Sequence, residues 1–391
     1  MEGVPVDYNA EDDDDPLATF LALKQAAVAR GLIPDVFSED EPAPRPPPPP
    51  LAEQPLLALD GTLGDEALDG PWTVTFVGDE KLLVTERNGR GILLSASGDG
   101  LTRDLPRLQD ALEEPQGAVC DVAAQHLYVV DGSGHSVHKL KLPDAAPCAV
   151  VHGKETPSVD VPADAADPSR AMAAMMIQGE EIPPLEALRY PRGCTIEGDE
   201  LFVCDSANRR VISYDPHTLA PRRAIGWTQP MPLFAGPHAA RPHAHVAREE
   251  GLECPVDVCA LGGELYVCDA HNHRIVVYDL STGSFVRSLG RRGSQPGELQ
   301  SPFGLLAVGD RLVVTDATRV QVLQPDGTPN QVLAIAGAES LAGLCTDGKC
   351  VYVADCSFDS GCVYRLRILP SPNSPPADAK LDNGDAPLQD A

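Results

Sequence analysis

The sequence predicts an all-β fold built from one repeated four-stranded unit, and three observations carry that expectation. A short apolar run closed by an acid recurs six times: "LLVTE" to Glu86, "LYVVD" to Asp131, "LFVCD" to Asp205, "LYVCD" to Asp269, "LVVTD" to Asp316 and "VYVAD" to Asp355. A longer phrase is written twice, "DSANRRVISYD" from Asp205 and "DAHNHRIVVYD" from Asp269. Between the runs lie Gly, Asp and Asn turns, with no helical period. Self-similarity at intervals of 39 to 74 residues marks an array of like units.

The unit around Asp269 shows the strands most plainly. "VDVCAL", "ELYVCD", "HRIVVYD" and "SFVRSLG" are runs of β-branched, aromatic and aliphatic residues, and "GG" and "STG" supply hairpin turns. Four short antiparallel strands per unit, repeated around an axis, is the propeller pattern. The closing acid is expected to accept bonds from turn N–H groups. The Asn three residues on is expected in the left-handed backbone of a tight hairpin. The Arg on the third strand is expected to reach a carboxylate.

The stretch Gly290–Asp316, "GRRGSQPGELQSPFGLLAVGDRLVVTD", and the "D-x-x-N-x-R" hairpins at Asp205–Arg210 and Asp269–Arg274 resemble NHL repeats. The resemblance covers about residues 55–370. It implies a six-bladed β-propeller of four-stranded antiparallel blades. The sixth unit is one strand short at its C-terminal end, while "PLLALDGTLGDEALDGPW" (Pro55 to Trp72) reads as a strand plus connector. Leu56–Leu59 is therefore expected to be the outer strand of the blade whose other strands lie at 342–367, closing the ring without an open edge.

Three segments stand outside that ring. Residues 1–54 read as an acidic, Pro-rich tail with a short helix at Pro16–Gly31, and residues 371–391 as a second disordered tail. Pro46–Pro50 is a stiff linker or a ligand for a Pro-binding domain. Insertions are expected near 154–188 and 227–250. The first holds Met172, Met175 and Met176 on a helix of about three turns, suited to packing on the ring or to an adaptable partner surface. The second holds His238, His243 and His245, a possible metal set whose spacing fits no finger pattern.

Composition limits the function. The net charge is −28, and −17 remains on residues 51–370 once the tails are set aside. Nucleic-acid binding relies on cationic neutralisation of phosphates, so DNA or RNA is not the expected partner. No apolar run approaches the roughly 20 residues of a membrane helix, and no secretory signal is visible. The eleven cysteines lie mostly in apolar strands, which points to reduced, buried thiols and a cytoplasmic setting. A monomer without cofactor is expected.

The starts of the innermost strands converge at the mouth of the axial channel. By alignment these are Trp72, Gln116, Arg192, Val256, Phe303 and Ala342. Similar rings in peptide-amidating lyases and gluconolactonase-like enzymes carry metal ligands there, whereas none of these six is His, Asp or Glu. No Ser–His–Asp set, P-loop or dinucleotide fingerprint is present. The expectation is a non-catalytic protein- or peptide-binding scaffold. Trp72 and Phe303 would be its anchors and Arg192 a forked donor, with Gln116 and Val256 beside them. NHL rings of the tripartite-motif ubiquitin ligases read targets in this way, so a target-reading subunit in ubiquitin-type pathways is one form of this reading. The alternative is a divergent propeller hydrolase or lyase at the same mouth, using Arg192 and Tyr190.

Overall fold

The computed structural model describes residues 51, 55–64, 68–98, 103–105, 108, 111–142, 145–153, 184–226, 249–357 and 361–369. All of them belong to one compact unit, residues 48–156 and 179–391. The helix at Pro16–Gly31, Pro46–Pro50, Met172, Met175, Met176, His238, His243, His245 and the tail at 371–391 lie outside the described residues.

The described chain forms six four-stranded antiparallel sheets. Blade 1 comprises β2 (Pro71–Gly78), β3 (Lys81–Glu86), β4 (Gly91–Ser95) and β5 (Arg103–Asp104). Blade 2 comprises β6 (Pro115–Asp121), β7 (His126–Asp131), β8 (Ser136–Lys141) and β9 (Ala146–His152). Blade 3 comprises β10 (Pro191–Glu197), β11 (Glu200–Asp205), β12 (Arg210–Tyr214) and β13 (Pro221–Ile225). Blade 4 comprises β14 (Pro255–Leu261), β15 (Glu264–Asp269), β16 (Arg274–Asp279) and β17 (Phe285–Leu289). Blade 5 comprises β18 (Pro302–Val308), β19 (Arg311–Asp316), β20 (Arg319–Leu323) and β21 (Pro329–Ala334). Blade 6 comprises β22 (Leu341–Thr346), β23 (Cys350–Asp355), β24 (Cys362–Ile368) and, from the other end of the chain, β1 (Leu57–Leu63). The six inner strands contact one another in sequence, and β22 returns to β2, so the ring is closed.

The second strand of each blade is the most deeply buried, because both of its faces are covered by neighbouring blades. In β11 and β15 every residue after the leading Glu is buried. Runs such as "LFVCD" are accordingly apolar without alternation. Tyrosines on these strands lean across to the next blade: Tyr128 donates to Pro216 O at 2.8 Å.

The carboxylates that close the second strands accept from turn N–H groups as expected at Asp131 (from Gly134) and Asp355 (from Ser357), but this is the smaller part of their role. Their donors are mainly backbone N–H groups of the connector entering the same blade. Asp131 accepts from Glu113 and Glu114, Asp205 from Arg189, Asp269 from Glu253 and Cys254, and Asp355 from Glu339 and Ser340. Glu86 does the same for Asp69. The third-strand arginines do reach these acids. Arg210 Nε lies 2.7 Å from Asp205 Oδ2, both side chains being fully buried, and Arg274 Nε lies 3.0 Å from Asp269 Oδ2. The asparagine expectation is corrected. Asn208 and Asn272 sit in 3-10 turns and donate through Nδ2 to the same acids at 2.9 and 2.7 Å. The left-handed backbone falls on the next residue, Arg209 (φ 58°) or His273 (φ 53°).

Closure occurs through the N-terminal strand. β1 pairs with β24 from Leu57↔Ile368 to Leu63↔Val363, with an irregularity at Leu59/Gly61, so the strand runs four residues beyond the expected Leu59. A side chain of blade 5 secures it. Gln331 Oε1 accepts from the N–H groups of Leu56 (2.8 Å) and Leu57 (2.9 Å), while Nε2 donates to Leu57 O at 2.7 Å. The matching positions in blades 3 and 4 are Arg223 and Arg287, which donate to carbonyls of the next blade. Where the neighbour is an incoming strand, an amide that both donates and accepts replaces the donor-only guanidinium.

Deleting residues 51–60 is expected to lower the melting temperature far more than deleting residues 1–45, read by circular dichroism; equal, small losses would argue against closure by β1. Asp205→Ala leaves Arg210 buried without its carboxylate and is expected to cost about 3–5 kcal/mol in urea denaturation.

Candidate functional site

Each inner strand begins with a break in regular pairing to its second strand, as at Pro71/Thr73, Pro191/Cys194 and Pro302/Leu305. The break turns the following backbone toward the axis, where neighbouring strands crowd. At the first axial position four of six residues are glycine: Gly117, Gly193, Gly304 and Gly343. A Cβ on Gly193 would stand 2.7 Å from both Asp257 Cα and Val256 O. The other two positions hold Thr73 and Asp257.

Asp257 escaped the survey of mouth residues because it lies one step inside them. Its signal was present in the sequence as the one acid where most blades carry glycine. It lines an axial cavity of about 260 Å³ with Thr73, Gln116, Gly193 and Phe303. Its Oδ2 accepts from Leu305 N at 2.8 Å and its Oδ1 from Val258 N at 2.9 Å. The carboxylate is surrounded by protein yet open to the cavity. Desolvation raises its pKa to about 7, against the lowering effect of those two N–H bonds. Asp257 can therefore take up or release a proton near neutrality. Burial also pushes the thiols of Cys194, Cys259 and Cys268 up, and the charge of Asp257 adds to this, so they stay protonated.

Four of the expected mouth residues come together above this cavity. Trp72 of blade 1 and Phe303 of blade 5 meet edge-to-face, with centroids 5.1 Å apart. The residue of blade 6 between them is Ala342, which is buried and small. Arg192 of blade 3 lies over Phe303 at 6.0 Å and over Tyr190 at 5.4 Å. Gln116 of blade 2 donates through Nε2 to Glu114 at 2.8 Å, and Glu114 also accepts from Tyr190 Oη at 2.9 Å. Val256 is 2% exposed and belongs to the wall rather than the surface. Val256 and Ala342 are thus buried parts of the wall beneath the larger side chains. Arg87 was not expected here; it follows the closing acid Glu86 and places its guanidinium 4.2 Å from the Trp72 ring centre.

These side chains form a cap of three aromatics and two arginines across one end of the cavity. Cation–π contact is worth roughly 0.5–2 kcal/mol and holds long arginines in place. The Tyr190 phenol is pushed up by burial and by Glu114, so it remains protonated and is no base at neutral pH. Among the described residues, no group of three or more His, Cys, Asp or Glu is arranged to hold a metal.

Asp257 gives a pH-dependent prediction. Its folded pKa, near 7, lies above the ordinary aspartate value of 3.8. The stabilisation from its proton is fully present below about pH 4 and is lost as pH rises through about 7. Urea midpoints measured from about pH 5 to pH 8 should therefore fall more steeply for the natural chain than for Asp257→Asn. Parallel pH profiles would disprove this assignment.

The family model for the NHL repeat matches residues 252–278, which carry β14, β15 and most of β16. The RING finger protein nhl-1 of Caenorhabditis elegans is 41% identical over 71 residues, amounting to 18% of this chain and 7% of that protein. Solved structures are similar at low identity. The WD40 β-propeller domain of Doa1 is 12% identical with a TM-score of 0.47, over 79% of this chain and 96% of that one. A chain of the nidogen/laminin complex is 15% identical with a TM-score of 0.48, over 71% and 84%. The chain is thus a six-bladed β-propeller of four-stranded blades whose fourth blade carries an NHL repeat.

Proposed function

We propose that this propeller is a non-catalytic scaffold that binds a protein partner through a peptide segment at the capped mouth. The observation that carries the reading is the convergence of Trp72, Phe303 and Arg192, from blades 1, 5 and 3, at one point on the axis. Tryptophan, tyrosine and arginine dominate the energetics of protein interfaces, at about 2 kcal/mol or more each when central. Here they are fixed by mutual stacking, so less side-chain freedom remains to be lost on binding.

A finer proposal is that the chain serves as a target-reading subunit in ubiquitin-type pathways. Its support is the shared stretch with a protein named as a RING finger protein, though that stretch spans 7% of the relative. A monomer in a reducing, cytoplasmic setting belongs to the same proposal. None of the eleven cysteines is in a disulfide, and among the described residues no helix is long and apolar enough to cross a membrane. The hydrolase or lyase alternative draws on Asp257, the one group at the cavity that titrates near neutrality. It lacks an adjacent activated nucleophile among the described residues, since Tyr190 and the nearby thiols are held protonated.

Affinity capture from a cell lysate with the natural chain and with Trp72→Ala plus Arg192→Ala tests the scaffold. Partners should be retained by the first and lost by the second at equal melting temperature; unchanged partners would place the interaction elsewhere.

A further inference from the structure

We propose that the capped mouth takes the phosphate of a phosphorylated serine or threonine in the partner peptide. This rests on the reading of the mouth as the partner surface and adds the chemistry it selects.

Three buried polar atoms at the starts of the inner strands of blades 1 and 2 have no hydrogen-bond partner: Trp72 Nε1, Thr73 Oγ1 and Gln116 Oε1. The residues are 9%, 4% and 5% exposed. A buried polar atom left unmade costs about 1–3 kcal/mol. Three together, beside a cavity that Thr73 and Gln116 line, mark a place where a ligand completes the set. Two of the three, the indole N–H and the threonine hydroxyl, can donate. Arg87 stands over the Trp72 ring and Arg192 over Phe303, which itself abuts Trp72. Donors and guanidinium groups ranged along the Trp72–Phe303 pair suit an anionic acceptor. The remaining atom, Gln116 Oε1, can accept a backbone N–H of the peptide that carries it.

The charge of the whole ring selects among anions. Residues 51–370 carry a net −17. A run of aspartates, or a nucleic-acid strand, would spread its charges over a surface of the same sign and be repelled along its length. A phosphate monoester concentrates a charge of about −1.5 to −2 in one group, which a small cationic mouth can meet locally. Planar guanidinium groups match phosphate oxygens in pairs, and the apolar floor of Trp72 and Phe303 strengthens that attraction by excluding water. Among the described residues, two nearby carboxylates are already engaged: Glu114 accepts from Tyr190, Gln116 and Ser133, and Asp257, at the cavity that Thr73 and Gln116 line, accepts from the N–H groups of Leu305 and Val258.

The chain contains two tryptophans, Trp72 and Trp227, so Trp227→Phe in the full-length protein makes Trp72 the sole emitter. The probes are a blocked Gly-Gly-phosphoserine-Gly-Gly peptide, the same peptide with serine or aspartate, and a single-stranded RNA oligonucleotide. The phosphopeptide should produce a saturable change in Trp72 emission, at least about tenfold tighter than either other peptide and weakened by salt. Arg87→Gln and Arg192→Gln should each weaken it at least about tenfold. If a glutamine variant melts early, Arg192→Lys, which keeps charge without the fork, should still lose affinity. No response up to about 10 mM phosphopeptide, an equal response to serine or aspartate, tighter binding of RNA, or indifference to both arginines would each overturn the proposal. Phosphatase treatment of the lysate separates it from the reading beneath it. Capture that survives phosphatase but fails with Trp72→Ala plus Arg192→Ala removes the phosphate and leaves the mouth as the partner surface.

Discussion

A carboxylate at the end of each second strand holds this ring together. All six blades have it, as Glu86 in blade 1 and as Asp131, Asp205, Asp269, Asp316 and Asp355 in the others. It lies in the blade core and reaches back to the N–H groups of the connector that starts the same blade. A charged acceptor in a dry site makes bonds worth about 1.5–3 kcal/mol each, and the acid is stable there only if such donors surround it. The carboxylate therefore dictates where the connector runs and where the inner strand begins. In blades 3, 4 and 5 an arginine locks the arrangement further and ties distant carbonyls to the same point.

Once the inner strands are placed, the axis imposes its own rule. Six strands converging in a narrow ring leave little room for side chains at the first inward position, and four of the blades meet this with glycine. The exception at Asp257 introduces a carboxylate into a cavity otherwise walled by backbone, aliphatic groups, Phe76, Phe303, Gln116, threonines and protonated thiols. Its two N–H bonds join blade 4 internally and to blade 5. It is at once a structural acceptor and the one group at the axis whose charge changes near neutral pH.

One residue outward the constraint reverses, since side chains there can spread over the end of the cavity. Small or buried residues in blades 4 and 6, Val256 and Ala342, allow large ones from blades 1, 3 and 5 to meet above them. The result is an aromatic and cationic cap on a ring that is acidic in sum.

The sequence by itself determined the strand count, the six-fold repeat and the closure of blade 6 by an N-terminal strand, which it placed at Leu56–Leu59 and the structure at Leu57–Leu63. These rest on local periodicity, turn chemistry and a missing strand at one end matched by a spare strand at the other. It also pointed to Trp72, Gln116, Arg192, Val256, Phe303 and Ala342 as one mouth, because equivalent repeat positions lie around one axis. Only the tertiary structure decided which of the six mouth residues meet. Contacts between blades 1 and 5, or 3 and 5, depend on the size of the residue each spans, and no linear spacing encodes that distance. For the same reason Arg87, Glu114 and Asp257 joined the site unannounced. Two of them come from loops whose course is set by the buried acids, and the third owes its proton affinity to the walls that other blades build around it.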